Sequence, residues 1–315
     1  MKPFIVVCDG MDKEVFEALQ AETNLEVHPK AKITQEELKE LLPKANALII
    51  RSATTVTKEY LELAPNLNLV IRAGEGTDNI DKKACAEFDV VVENTPGANN
   101  NSAAEHAIAL MMTVLRKTAA ADASMKTGAW DKASFTGNEL ANKKVGIVGF
   151  GKIGQIVAKR LAGFDPEVKV FDPFFEKSDL PYVSKAATLE EIFESCDIIT
   201  LHTPLMDATR GLVNAKLFNL MKADAILINA SRGGIVNEED LYAALSSKKF
   251  RAAGFDVFSA EPLPADNKLK ELPNLVMTPH LGAATEEAQL RVGQMAVAQI
   301  REYFGNNNIV NQVKA

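Results

Sequence analysis

A chain of 315 residues, 47% hydrophobic and 24% charged, is long enough to bury two hydrophobic cores. Its net charge of −7 excludes a general nucleic-acid-binding surface, since no excess of Lys and Arg is present to displace counterions, although a local cationic pocket for a small anion stays open. Cys8, Cys85 and Cys196 lie far apart with no C-x-x-C, the start MKPFIVVCDG lacks a signal-peptide core, and no stretch of about 18 apolar residues runs without a charge; the expectation is a cytoplasmic chain with no disulfide and no membrane span.

The first hundred residues alternate short apolar runs with amphipathic segments. FIVV (4–7), ALII (47–50), NLVI (68–71) and VVV (90–92) read as strands, and 12–21, 34–42, 57–64 and 81–87 as helices. Thr34 with Glu37 forms a capping box; Thr57 marks another helix start without one. Such alternation predicts a parallel sheet with crossover helices. NTPGANN (94–100) is a loop, and a single long helix is expected over 102–126. Its segment AAEHAIALMMTVLRK is too weakly charged for an exposed helix, which points to a buried or subunit-interface role.

Residues 145–172, VGIVGFGKIGQIVAKRLAGFDPEVKVFD, carry the strongest signal in the chain. An apolar strand leads into Gly149, Gly151 and Gly154 as G-x-G-x-x-G, a helical pattern follows, and a second strand ends at Asp172. The first glycine allows the tight turn, the second close approach of a pyrophosphate, and the third close helix–strand packing. The helix N-terminus offers unpaired N–H groups to that pyrophosphate. Asp172 suits the two ribose hydroxyls and would repel a 2′-phosphate, so the expected cofactor is NAD.

Beyond Asp172 the alternation resumes. Helices are expected at 188–194, 214–221 and 238–246, strands at 197–200, 225–229, 252–258 and 275–278, and a long amphipathic helix at 286–304 that returns to the first domain. Three strand ends bear polar groups: Arg232 in INASRGGIV, Asp256 and Glu261 in FDVFSAEPLP, and His280 in VMTPHLGAAT. Ligands of open α/β sheets sit at such ends. Arg232 can fork onto a carboxylate, His280 can exchange a proton near neutrality, and Glu261 would orient His280 and favour its charged form. No metal site is expected. His202 in LHTPL, with Thr203 and Pro204, reads as a loop flanking the cofactor.

With these motifs, the chain resembles the D-isomer-specific 2-hydroxyacid dehydrogenases, and among them the catalytic core of the phosphoglycerate-oxidising branch. RSATTVT (51–57), RAGEGTDNID (72–81), NTPGANNNSAAEH (94–106), the glycine fingerprint, LHTPL (201–205), NASRGGIV (229–236), DVFSAEP (256–262) and TPHLGAAT (278–285) match the family's patterns in order. The resemblance implies Arg232, Glu261 and His280 as catalytic. It implies cofactor contacts from Gly149, Gly151, Lys152, Ile153, Gly154, Asp172, His202, Thr203, Pro204, Ala230, Ser231, Arg232, Asp256, His280, Gly282 and Ala283. It implies substrate contacts from Ala73, Gly74, Gly76 and Asn99, with Arg51, Ser52 and Lys132 near a substrate phosphate, alongside Arg232 and His280. Glu75 stands where the family carries Thr or another small residue, and a carboxylate there is unfavourable unless it turns outward or meets Lys or Arg. The sensing domains of longer relatives are not expected after residue 315, nor is serine feedback through them.

The architecture expected is two doubly wound α/β domains. A Rossmann NAD domain, 99–285, is inserted into a flavodoxin-like substrate domain, 1–98 and 286–315, with the active site in the cleft between them. The function implied is NAD-dependent oxidation of a D-2-hydroxy acid, 3-phospho-D-glycerate first, on the route to serine. A glyoxylate or hydroxypyruvate reductase is the alternative within the class, and an NAD(H)-sensing corepressor-like binding protein the alternative outside it. The partners expected are a small-molecule substrate and a second copy of the chain, a homodimer built largely on 100–126, with neither nucleic acid nor membrane.

Overall fold

Both faces of each sheet are covered by apolar side chains, which is why the strands read as continuous apolar runs rather than alternating ones. The computed structural model describes residues 2–314 and divides into two units, Met1–Asn99 with Ala283–Ala315, and Asn100–Gly282.

Unit 1 runs β1 (Phe4–Val7), α1 (Lys13–Gln20), β2 (Glu26–Val27), α2 (Gln35–Leu41), β3 (Ala47–Ile50), α3 (Lys58–Glu62), β4 (Leu69–Arg72), α4 (Lys82–Glu87) and β5 (Val91–Asn94). Its parallel sheet has the order β2-β1-β3-β4-β5, which reverses between β1 and β3 as in flavodoxin-like folds. β3 shows the two-sided burial: Leu48 and Ile50 enter one core, Ala47 and Ile49 the other. The capping box at α2 forms as read, Glu37 N–H to Thr34 Oγ1 at 3.2 Å and Thr34 N–H to Glu37 Oε2 at 2.8 Å. The two-residue strand β2 has too little apolar content to be seen in sequence.

Unit 2 runs α5 (Asn100–Arg116), α6 (Thr118–Lys126), β6 (Lys144–Val148), α7 (Lys152–Leu161), β7 (Glu167–Phe171), β8 (Val183–Lys185), α8 (Leu189–Ser195), β9 (Ile198–Leu201), α9 (Ala215–Phe218), β10 (Ile226–Asn229), α10 (Glu238–Ser246), β11 (Ala252–Phe255) and β12 (Leu275–Met277). The order β12-β11-β10-β9-β6-β7-β8 is all parallel and reverses between β6 and β9, the Rossmann arrangement with its switch point at the glycine fingerprint. The chain then forms α11 (Glu286–Asn306), which packs its Val292, Ala296, Val297 and Ile300 into the unit 1 core beside α1.

Three readings need correction. The helix expected over 102–126 is two helices, because Lys117 takes a left-handed φ of +54° and ends α5. Gly137 crosses over that end so closely that a Cβ would lie 2.4 Å from the Leu115 carbonyl oxygen. The apolar face of α5 is spent inside unit 2: Ala104, Ala107, Leu110, Met111, Val114 and Leu115 join the core against α7 and the sheet. α6 buries none of its residues. The strand read as 252–258 stops at Phe255, so Asp256 lies just past its carboxyl end.

Candidate active site

The fingerprint turn follows β6. Gly149 has φ +91°, and a Cβ there would lie 2.6 Å from the His202 carbonyl oxygen; on Gly154 it would lie 2.3 Å from the Gly149 carbonyl oxygen. Both glycines are therefore demanded by packing. Gly151, the N-cap of α7, has nothing within 4 Å of its Cβ position, so open space lies at the helix end where Lys152 and Ile153 present the first unpaired N–H groups. Asp172 follows β7 and is tied to the turn: its Oδ2 accepts the Phe150 N–H at 2.7 Å and its Oδ1 the Phe174 N–H at 2.8 Å. Each oxygen keeps a lone pair for a ribose hydroxyl. Thr203 Oγ1 is buried with no partner beside Gly149. An unpaired buried hydroxyl costs free energy that a ligand's polar atom would recover. Helix end, glycine cradle, carboxylate and orphan hydroxyl fit a dinucleotide. The His202 ring is spent differently: its Nε2 lies 2.9 Å from Thr200 Oγ1, and burial pulls its pKa down to about 4, so it stays neutral. Pro204 is exposed and its carbonyl accepts the Thr209 hydroxyl at 2.6 Å.

Arg232, Glu261 and His280 lie in the loops that follow β10, β11 and β12, three adjacent strands. The 229–234 loop is braced by Asn229, whose Oδ1 accepts the Ser231 N–H and hydroxyl and whose Nδ2 donates to the Arg232 carbonyl at 3.1 Å. Ala230 lies between these bonded residues. The Arg232 Nη1 donates to the Ser231 carbonyl at 2.8 Å. A Cβ on Gly233 would lie 1.8 Å from the Phe258 carbonyl oxygen, so this loop is pressed onto the next one. Glu261 Oε1 accepts the Phe258 N–H at 2.9 Å, and its Oε2 meets His280 Nδ1 at 2.7 Å. Burial works against the Glu261 charge, but the His280 ring and the Phe258 N–H together hold its pKa below the usual carboxylate value. An ionised Glu261 accepts from Nδ1, which leaves His280 Nε2 as the atom for proton exchange. Asp256 is fully buried and accepts the N–H groups of Leu281 at 2.7 Å and Gly282 at 2.9 Å; Ala283 follows at the start of the return to unit 1.

In unit 1 the candidate substrate residues follow β3 and β4. The loop 51–54 is clamped from both sides: Asp9 accepts the N–H groups of Arg51 at 2.6 Å and Thr54 at 3.0 Å, while Asn79 Nδ2 donates to the carbonyls of Arg51 and Thr54. Ser52 is exposed on this loop. After β4, the Ala73 and Gly74 N–H groups are already committed, to the Ile50 and Arg72 carbonyls at 2.8 Å each. The N–H groups of Glu75 and Gly76 have no partner among the described residues and form the pair open to a carboxylate. The Glu75 side chain is half-buried, forms no ion pair with Lys or Arg among the described residues, and accepts the Gly97 N–H at 2.5 Å. Asn99 Oδ1 is buried and unpaired. Lys132 belongs to unit 2, exposed on the segment after α6.

A family model described as the NAD binding domain of D-isomer specific 2-hydroxyacid dehydrogenases matches residues 108–282. The chain belongs to the D-isomer specific 2-hydroxyacid dehydrogenase family. A hydroxypyruvate reductase of Thermotoga maritima is 42% identical over 302 residues, 95% of this chain and 97% of the relative. A D-3-phosphoglycerate dehydrogenase of Archaeoglobus fulgidus is 40% identical over 297 residues, 94% of this chain and 56% of the relative. The chain thus spans little more than half the length of the phosphoglycerate dehydrogenase it matches. The crystal structure of NAD⁺-bound 3-phosphoglycerate dehydrogenase from Entamoeba histolytica has a TM-score of 0.83 at 27% identity, covering 100% of this chain and 99% of that one. In this dehydrogenase the cofactor is NAD, held by a Rossmann domain.

Four residues of the site escaped sequence reading. Asp9 and Asn79 shape the Arg51 loop from distant elements, and His106 and Thr278 converge on Asp256, with His106 Nε2 3.0 Å from Thr278 Oγ1 and 3.1 Å from Asp256 Oδ1. His106 is separated by 150 residues of chain from Asp256, and no local spacing links them. No helix among the described residues is long and apolar enough to cross a membrane.

Proposed function

We propose that this dehydrogenase oxidises 3-phospho-D-glycerate to 3-phosphohydroxypyruvate. Bound NAD supplies the acceptor for the hydride leaving C2. Gly149, Gly151, Gly154, Lys152, Ile153, Asp172, Thr203 and the backbone of 230–232 are the residues suited to hold it. The Arg232 guanidinium grips the substrate carboxylate and polarises the adjacent oxygen. His280 Nε2 takes the hydroxyl proton in oxidation and returns it in reduction, with Glu261 holding the ring by Nδ1. Within unit 1, the unpaired Glu75 and Gly76 N–H groups are suited to donate to an anionic oxygen.

The observation that carries the phosphorylated substrate is Arg51. Its backbone is pinned by Asp9 and Asn79, while its guanidinium has no protein partner among the described residues, an arrangement that presents a fork for phosphate. Turnover of 3-phosphohydroxypyruvate, hydroxypyruvate and glyoxylate with NADH tests this reading. Arg51→Ala should raise KM for the phosphorylated acid by tens-fold, roughly 2 kcal/mol for a lost charged hydrogen bond, and leave the other two nearly unchanged. A native enzyme that prefers hydroxypyruvate or glyoxylate would overturn the assignment in favour of a reductase of those acids. That second reading is favoured by the full-length match to a hydroxypyruvate reductase.

A further inference from the structure

His106 takes no part in the proton chemistry, yet it is aimed at the carboxylate that anchors the His280 loop. α5 lies against β10, β11 and β12, and His106 is mostly buried there, its side chain 17% exposed. Burial opposes the charge of Asp256, but bonds from His106, Thr278 and the Leu281 N–H hold its carboxyl below the usual range, so it is ionised. An ionised oxygen only accepts. The His106 Nε2 at 3.1 Å from Oδ1 therefore carries a hydrogen, which fixes its tautomer. Thr278 donates its hydroxyl to the same oxygen at 2.6 Å, and its own oxygen lies 3.0 Å from Nε2 to share that hydrogen.

Asp256 passes this anchorage to the catalytic loop. Its side chain holds the Leu281 and Gly282 N–H groups, and its carbonyl accepts the His280 N–H at 2.8 Å. Between these bonds His280 adopts a φ of +55°, a left-handed conformation that a non-glycine residue keeps only where its surroundings impose it. The Cβ position of Gly282 lies 3.4 Å from Asp256 Oδ2 and 3.8 Å from the Cα of Ala103, so the segment is pressed between the buried carboxylate and α5. We propose that His106 is a positioning residue for the dehydrogenase reaction: its Nε2–H ties Asp256 to α5 and so keeps 280–282 set for proton exchange and for NAD. The proposal rests on the dehydrogenase reading above. Among the described residues, the titratable side chains that act on the Asp256 carboxylate are His106 from α5 and Glu261 from the loop after β11; His280 meets Asp256 through its backbone N–H.

The test measures NADH affinity by fluorescence, and 2-oxo acid turnover, across pH for the parent, His106→Leu and His106→Gln. A Gln amide N–H reaches the place of the imidazole Nε2–H; Leu offers none. His106→Leu should lose about ten-fold or more in both NADH affinity and kcat/KM, as expected for a lost bond to a charged group. Its acid limb of NADH binding should move to higher pH, because Asp256 loses a donor that favours its ionised form. His106→Gln should recover most of both. If His106→Leu does not fold, His106→Asn, too short to reach Asp256, takes its place. Leu and Gln variants with equal losses and the parent's pH profile would overturn the proposal and leave His106 as packing. If the parent turns over no 2-oxo acid, the dehydrogenase reading fails, while the NADH-binding profile still decides the role of His106.

Discussion

At the scale of single residues, the Glu261–His280 contact at 2.7 Å sets the orientation of the ring. Glu261 is held ionised by the ring and by the Phe258 N–H, against its burial. A folded-state carboxyl that is depressed contributes stability above its ordinary value, and that contribution disappears as pH falls through the depressed value. Glu261→Gln keeps the shape and removes the charged acceptor that holds the ring by Nδ1, so the rate of oxidation should fall by about ten-fold or more. Steady-state kinetics would show it, and a near-native rate would dissolve the pairing. The placement of Arg232, Glu261 and His280 at adjacent strand ends was legible because each follows an apolar strand. Thr278 and His106 were not, because a hydroxyl and a helix histidine take meaning only from the buried carboxylate they meet.

At the scale of elements, the strand–turn–helix of β6 and α7 separates two kinds of glycine. Gly149 and Gly154 have no room for a Cβ, whereas Gly151 has nothing near it. Gly149→Ala should therefore destabilise the fold by about 1–3 kcal/mol, through its positive φ and the clash with the His202 carbonyl, and lower the melting temperature. Gly151→Ala should fold with a near-native melting temperature and lose NADH affinity, since the methyl enters the space a pyrophosphate needs. Calorimetry and NADH titration of the two variants separate these effects; equal melting temperatures would contradict the packing argument. The break at Lys117 illustrates the limit of periodicity. The alanine-rich pattern runs on past residue 117, and only the loop crossing at Gly137 and Asn138 ends the first helix there.

At the scale of the whole molecule, the C-terminal segment and the surface after α5 carry two expectations. Glu93 is fully buried on β5, where its Oε1 accepts the Val310 N–H at 2.7 Å and its Oε2 finds no partner. Burial raises its pKa, opposed by the N–H groups of Val310 and Asn311. A carboxyl raised in the fold supports stability while protonated, and that support is lost as pH climbs through the raised value. Glu93→Gln should therefore melt a few degrees higher than the parent at neutral pH, with the gap closing at acid pH; a lower melting temperature at neutral pH would mark Glu93 as an ionised clasp for the tail. For assembly we propose a homodimer through 100–126. Since α5 is used internally, the support comes from α6, which buries nothing and exposes 50% of Met125, and from the nearby Trp130, 74% exposed. Sedimentation at micromolar concentration should give twice the chain mass, and a monomer would refute it.

Local chemistry in the sequence determined the two parallel α/β folds, the glycine fingerprint, the acid at Asp172 and the chain of strand-end residues, because strand burial, helix caps and tight turns depend on neighbours within a few positions. Tertiary structure alone decided which groups share a hydrogen bond across long separations. It turned Glu75 onto the Gly97 N–H, clamped the Arg51 loop with Asp9 and Asn79, spent the apolar face of α5 inside its own unit and brought His106 to Asp256. These outcomes follow from the packing of whole elements against sheets. A buried polar group must find its partner wherever the fold places one, and sequence spacing holds no record of that distance.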